Sequence, residues 1–229
     1  MTSGTGPGGA MAVRLFAPPA GDSDTFQFER LLFGRGFRCI AGTDEAGRGP
    51  LAGPVVAAAV VLPPDADYRL FCDSKQTTGR QRSRLRDHLR EIGAAIGIGC
   101  VDAATIDRIN ILQASLRAMA DSIAALADHG IEPDFVLVDG TCGVPVTIAQ
   151  QPLVKGDCRS ASIGAASIIA KITRDEMMAD LHERYPIYDF LANKGYPTRR
   201  HRQAVQRHGP SPVHRLSFKG VREFVTPAD

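Results

Sequence analysis

No Cys-x-x-Cys pair occurs in this sequence; its five cysteines, Cys39, Cys72, Cys100, Cys142 and Cys158, are odd in number and scattered. That argues against a disulfide framework or a thiolate zinc site, and a reducing cytoplasm is the simplest home. No apolar stretch nears the roughly 20 residues that span a bilayer. The longest, residues 51–62, is broken by Gly53 and Pro54. Residues 1–9 are rich in Gly, Ser and Thr and lack the basic start and apolar core of a secretion signal. Residues 1–30 read as a loose, flexible N-terminal tail. Acidic residues are missing altogether from residues 194–222, where eight basic ones stand: Lys194, Arg199, Arg200, Arg202, Arg207, Arg215, Lys219 and Arg222.

What is present fits one domain with a small appendage: 229 residues, 44% of them hydrophobic, enough to bury a core. The net charge of +2 says little, but its distribution says more. A second basic run holds Arg80, Arg82, Arg84 and Arg86. Such runs are usually solvated faces; the alternative is a surface that follows a phosphate backbone.

Residues 37–43 and 55–62 read as strands bracketing a Gly/Pro-dense turn. Residues 81–92 read as an exposed helix, and residues 94–101 as a strand weakened by Gly97 and Gly99. Residues 111–129 form a helical pattern, with Leu112, Leu116, Met119, Ile123 and Leu126 at spacings of three or four and Gly130 at the capping position. The apolar run from Phe135 to Val138 suits a buried central strand, and residues 144–149 an edge strand. A long helix over residues 160–183 begins with small and apolar side chains. Beyond Pro186, prolines keep interrupting short segments, which predicts a C-terminal subdomain of short helices and loops. Two strands, a helix, a strand and a long helix make an α/β sandwich around a mixed sheet.

Several carboxylates sit where structure alone does not need them. Asp44 and Glu45 prolong an apolar strand, and Asp139 ends the expected central strand, where ligand crevices open in α/β sheets. Asp157 precedes the long helix, where an ordinary N-cap is the simpler reading. Carboxylates grouped at buried strand ends repel one another, and a divalent cation relieves the conflict. Oxygen ligands suit Mg²⁺ or Mn²⁺. Four carboxylates match the charge of two such ions, which at ~3.5–4 Å apart suit in-line attack on a phosphodiester.

Seven blocks in order resemble ribonuclease HII over residues 38–218. The first and least common is Asp44-Glu-Ala-Gly-Arg-Gly-Pro50, continuing Leu51-Ala-Gly-Pro-Val55. Asp73-Ser-Lys75, Val138-Asp-Gly140, Lys155-Gly-Asp157 and Ala165-Ala-Ser-Ile-Ile-Ala-Lys171 follow. Asn193-Lys-Gly-Tyr-Pro-Thr198 and Gly209-Pro-Ser-Pro-x-His-Arg-x-Ser-Phe218 complete the set. After Lys75 the family usually has a basic residue and leucine, whereas Gln76 and Thr77 stand here.

The resemblance implies a ribonuclease H-like mixed sheet flanked by helices: a catalytic core over residues 31–185 and a small helical C-terminal subdomain over 186–229 that contacts nucleic acid. It implies an endonuclease that cuts on the 5′ side of a ribonucleotide in RNA/DNA hybrids or in DNA with embedded ribonucleotides. Ribonucleotide removal and RNA primer removal would be its roles, with a monomer as the working form. The metal-binding catalytic residues it implies are Asp44, Glu45, Asp139 and Asp157, with two Mn²⁺ or Mg²⁺ ions in the working complex. Asp175 competes with Asp157 for the fourth place. The backbone of Gly47, Arg48 and Gly49 would meet the ribonucleotide 2′-hydroxyl, the group that separates RNA from DNA. Tyr196 would stack on the following deoxyribose. Lys75, Lys155, His214 and Arg215, with Lys171 and His201, are candidate phosphate contacts. Two rival readings stay in view: a junction resolvase on the same carboxylate core, and a catalytically dead hybrid-binding module.

Overall fold

The computed structural model describes residues 24–71 and 78–225. Strands β1 (Ile40–Ala46), β2 (Val55–Val61), β3 (Ala95–Val101), β4 (Phe135–Asp139) and β5 (Ala149–Leu153) form one sheet in the order β3-β2-β1-β4-β5. The pairs β1–β2 and β2–β3 are antiparallel, and β1–β4 and β4–β5 are parallel, which gives the expected mixed sheet. Both of its faces are covered, so β2 and β4 are buried almost end to end and read as continuous apolar runs.

The helices are α1 (Gln27–Gly34), α2 (Gly79–Glu91), α3 (Ala103–Ile109), α4 (Ile111–Ala124), α5 (Ala161–Arg184), α6 (Phe190–Asn193) and α7 (Arg199–His208). One face of the sheet packs Ala41, Ala57, Ala59 and Val136 against Ile106 of α3 and Ala114, Ala118 and Ile123 of α4. The other packs Ala58 and Val60 against Ala165, Ile168 and Ile169 of α5 and Leu89 of α2. Ser160 caps α5 by accepting from the Ile163 N–H at 3.2 Å.

The glycines expected to weaken β3 have a packing reason. A Cβ on Gly99 would lie 2.0 Å from the Ala118 carbonyl oxygen, so the bare backbone admits α4 against the sheet. The buried face of α4 is accordingly built from Ala114, Ser115, Ala118, Met119, Ser122 and Ile123, while Leu112 of the expected apolar stripe is 41% exposed. The helix ends in a 3-10 turn over Ala125–His129, and Gly130 takes the left-handed conformation at φ 71°.

Two expectations are corrected. The edge strand lies at Ala149–Leu153 rather than over 144–149; its paired residues include Gln150, Gln151 and Pro152, a polar stretch that an apolar pattern does not reveal. Of the tail expected over residues 1–30, residues 24–30 belong to the fold. Phe28 and Leu32 of α1 pack on Ile40, Phe135, Leu137 and Ile163. Beside them Glu29 is 1% exposed, and its Oε1 accepts from Ser160 Oγ at 2.7 Å, Ser162 Oγ at 2.6 Å and Ser162 N–H at 3.1 Å. Burial raises the Glu29 carboxyl above its ordinary pKa, against the pull of these donors.

Two buried arginines join the loop after β1 to the rest of the chain. Arg215, 0% exposed, donates to the carbonyls of Gly47 (2.6 Å), Arg48 (2.9 Å), Pro50 (2.9 Å) and Gly53 (3.1 Å). Arg174 of α5, 1% exposed, donates to those of Ala52 (3.2 Å), Pro54 (3.0 Å) and Lys194 (3.0 Å). Main-chain bonds between Leu51 and Gly195, Gly53 and Val213, and Arg215 and Leu51, each 2.8 Å, complete the tie. Below it, Ala52, Met178, Leu181, Tyr188, Phe190 and Val205 form a small separate core.

Gly99→Ala pushes a methyl group into helix backbone and is expected to cost about 2–3 kcal/mol, read as a lower Tm in thermal unfolding; an unchanged Tm contradicts the close approach. Arg215→Lys keeps the charge and loses the planar fork, leaving buried carbonyls without donors, at about 2–4 kcal/mol. Chemical denaturation measures that loss, and a wild-type midpoint would show that the fork carries no stability.

Candidate active site

β1 and β4 run parallel with Thr43 opposite Val138, so Asp44 and Asp139 leave the sheet side by side at the carboxyl ends of neighbouring strands. Glu45 follows as the last residue but one of β1. All three line a cavity of about 460 Å³ with Gly47, Arg48, Gly49, Arg82, Ser167, Lys171, Arg174 and Tyr196.

The cavity holds an electrostatic conflict. Asp44 is 6% exposed; burial, then Glu45, then Asp139 raise its carboxyl well above the usual carboxylate range, while a Ser167 hydrogen bond and the Glu45 N–H at 2.7 Å oppose the shift. Burial also raises Glu45, whose Oε1 accepts from the Arg48 guanidinium at 3.1 Å. Asp139 Oδ1 accepts from the Gly156 N–H at 2.6 Å. Desolvated carboxylates held together this way are a hard-oxygen donor set whose repulsion a divalent cation offsets. As placed, no group of three or more His, Cys, Asp or Glu among the described residues closes on a common metal position.

The fourth carboxylate stands one layer back. Asp157 lies in a 3-10 turn, Gly156–Cys158, is 2% exposed and does not line the cavity. It is not the cap of α5, a role Ser160 takes, and its turn touches the cavity group through the Gly156–Asp139 bond. Asp175 does not line the cavity either. It pairs with Lys171 and lies 3.9 Å from Arg82.

The turn at Gly47 follows from local backbone. Gly47 has φ 100°, and a Cβ there would sit 2.1 Å from Arg174 Nε, so only glycine lets the arginine pass. Tyr196, 44% exposed, lies over Gly49, where an added Cβ would be 3.7 Å from its ring.

Other candidates lie elsewhere. Lys155 is exposed and outside the cavity, and Lys75 falls outside the described residues. Three expected phosphate contacts are corrected: His201 is 0%, His214 1% and Arg215 0% exposed, with their polar atoms bonded inside the protein. Burial pushes the Arg215 guanidinium down to about 9 and the neighbouring Arg174 cation adds to it. Residue patterns did not single out Ser167 or Arg174, because neither differs from an ordinary helical side chain until the sheet brings it to the carboxylates.

Comparison with known proteins bears on family and fold. The family model described as Ribonuclease HII matches residues 41–221. The ribonuclease HII of Desulfotalea psychrophila is 55% identical over 202 residues, covering 88% of this chain and 90% of that protein. That of Geobacter sulfurreducens is 52% identical over 200 residues, covering 87% and 91%. Among solved structures, the ribonuclease H2 of Pyrococcus horikoshii OT3 superposes with a TM-score of 0.68 at 27% identity, covering 82% of this chain and 97% of that one. The fold is thus ribonuclease H-like, and the chain belongs to the ribonuclease HII family of endoribonucleases.

Proposed function

We propose that this chain hydrolyses the phosphodiester on the 5′ side of a ribonucleotide, in RNA/DNA hybrid or in DNA with embedded ribonucleotides. The observation that carries the reading is the meeting, in one cavity, of Asp44, Glu45 and Asp139 with the Gly47–Gly49 turn and Tyr196. Asp44, Glu45 and Asp139, with Asp157 drawn forward from behind Asp139, would hold divalent cations, Mg²⁺ or Mn²⁺, two in the working complex. When bound, such ions supply Lewis acidity to the attacking water and to the departing oxygen.

The protein's own groups do the rest. Arg215 occupies the Gly47 and Arg48 carbonyls, so the backbone polarity left at the turn is chiefly N–H, a donor set for a 2′-hydroxyl. Tyr196 offers an exposed ring to the sugar that follows. Arg48, Arg82 and Lys171 border the carboxylates and balance the phosphate charge. Water adds to phosphorus as the 3′-oxygen of the preceding nucleotide leaves, giving a 3′-hydroxyl and a 5′-phosphate. Residues 186–225, the described part of the C-terminal subdomain, present the basic face of α7 to the duplex. The reading is of a monomer in the cytoplasm, acting on ribonucleotides in DNA and on RNA primers; no helix among the described residues is long and apolar enough to cross a membrane.

A duplex with one ribonucleotide, incubated with Mg²⁺ or Mn²⁺, is expected to be cut on the 5′ side of that nucleotide, and chelator is expected to stop the reaction. Asp139→Asn is expected to lower the rate by on the order of 10²–10³-fold or more. Cutting of all-DNA duplex at a similar rate would refute the 2′-hydroxyl reading. Tight binding with no cutting of any substrate would favour a binding module. With about four phosphate contacts, affinity measured by fluorescence anisotropy is expected to fall roughly a hundredfold between ~50 and ~200 mM salt; a flat response would remove the basic surface from the account.

A further inference from the structure

The buried histidines left over from the phosphate-contact set make a continuous path to the cavity. Ser211 donates its N–H to His214 Nδ1 at 3.0 Å, and its hydroxyl lies 2.8 Å from the same nitrogen. A nitrogen that accepts an N–H carries no proton, so the His214 proton is on Nε2. That atom is 3.0 Å from His201 Nε2, which must then accept. The His201 proton is left on Nδ1, 2.9 Å from the Tyr196 carbonyl oxygen. Each bond dictates the next, and two protons fill the path with no choice of tautomer.

We propose that His201 and His214 are positioning residues: with Ser211 they form a one-way hydrogen-bond chain that fixes the Tyr196 backbone beside Gly49. The inference rests on the reading that Tyr196 meets the substrate sugar. Tyr196 needs such support because its ring is 44% exposed. Its main chain is held from three sides: the N–H donates to Asn193 O at 2.8 Å, and the carbonyl accepts from the Thr198 N–H at 2.8 Å and from His201. Of these, the histidine bond alone connects the tyrosine to the distant turn at Ser211.

The imidazole planes are set by aromatic packing. The Tyr188 ring meets His214 edge-on at 4.6 Å between centroids, and Phe190 meets His201 likewise at 5.5 Å. A third proton has no place on the path, since it would set N–H against N–H at His214 or between the two rings. Burial, then the neighbouring His201, holds His214 down to about 4, and burial followed at a distance by the Arg202 cation lowers His201. Arg215, next in sequence to His214, adds a further positive charge nearby, and the Tyr188 hydroxyl is occupied with the Gly209 carbonyl at 2.7 Å. The bonds along the path leave both rings neutral, and burial acts in the same direction.

Two measurements test the chain. In the full protein with ¹⁵N-labelled histidine at neutral pH, NMR is expected to show His214 protonated at Nε2 and His201 at Nδ1. Either tautomer reversed, or an imidazolium at either ring, overturns the proposal. Cleavage of the single-ribonucleotide duplex by His201→Phe, which keeps ring volume and loses both bonds, is expected to lose roughly tenfold in kcat/KM. In a Tyr196→Ala background the same substitution is expected to cost less than about twofold, because the group it positions is gone. Equal losses in both backgrounds would make the histidines merely structural and defeat the proposal. His214→Phe runs through the same cycle, so one unfolded variant does not decide the matter. If the wild-type chain cleaves nothing, the reading of Tyr196's ligand fails, while the tautomers still decide whether the chain exists.

Discussion

Arg215 and Arg174 put two guanidinium groups inside the protein and surround them with carbonyl oxygens, six of which come from the loop after β1: those of Gly47, Arg48, Pro50, Ala52, Gly53 and Pro54. Neither is paired with a carboxylate among the described residues, so their burial is compensated by dipoles. A planar fork with several fixed donors suits that task, and a weakly hydrated cation loses less on leaving water. The rest of the site depends on this arrangement. A loop of glycines and prolines has no side chains to hold its shape, and here its shape is held through its own carbonyls. Because Arg174 comes from α5 and Arg215 from the C-terminal segment, the same contacts fix the angle at which that segment meets the sheet.

The electrostatic layout follows. Buried cations hold the carbonyls of the glycine loop, and Asp44, Glu45 and Asp139, near the ends of β1 and β4, share a cavity with that loop and with Arg174. Burial and mutual repulsion raise Asp44 and burial raises Glu45, a conflict that a divalent cation would offset. Phosphate can then be received between an acidic floor and a rim of Arg48, Arg82 and Lys171. Under the proposed function the two halves would have separate duties: the carboxylates for chemistry, the turn and Tyr196 for choosing the sugar.

Much of this was legible in the sequence, and the failures have physical causes. Apolar runs and small-residue helices announced β2, β4 and α5, and carboxylates after apolar strands pointed to the candidate site, since charge at a buried strand end has few structural explanations. The β5 strand escaped because Gln150, Gln151 and Pro152 lie at a sheet edge, where pairing to β4 sets the conformation and apolarity is not required. Residues 24–30 were read with the tail, although Phe28 and Leu32 at a spacing of four were a usable signal. Arg215, His201 and His214 looked like phosphate ligands because their acceptors are backbone groups and one another, which no residue pattern displays before the loops are folded. Asp157 was legible as a residue of interest, but its place behind Asp139 is set by the turn at Gly156 and not by spacing.

The central claim is that a turn held by buried arginines selects for a 2′-hydroxyl beside the carboxylates. The most direct measurement is the affinity of Asp139→Asn, whose cutting is expected to be slow, for two duplexes that differ only in one 2′-hydroxyl. The account predicts tighter binding of the ribonucleotide duplex by roughly tenfold, the worth of about one well-placed hydrogen bond to a polar group, and loss of that preference in Asp139→Asn carrying Arg215→Lys. Equal affinity for both duplexes in the Asp139→Asn protein would contradict it.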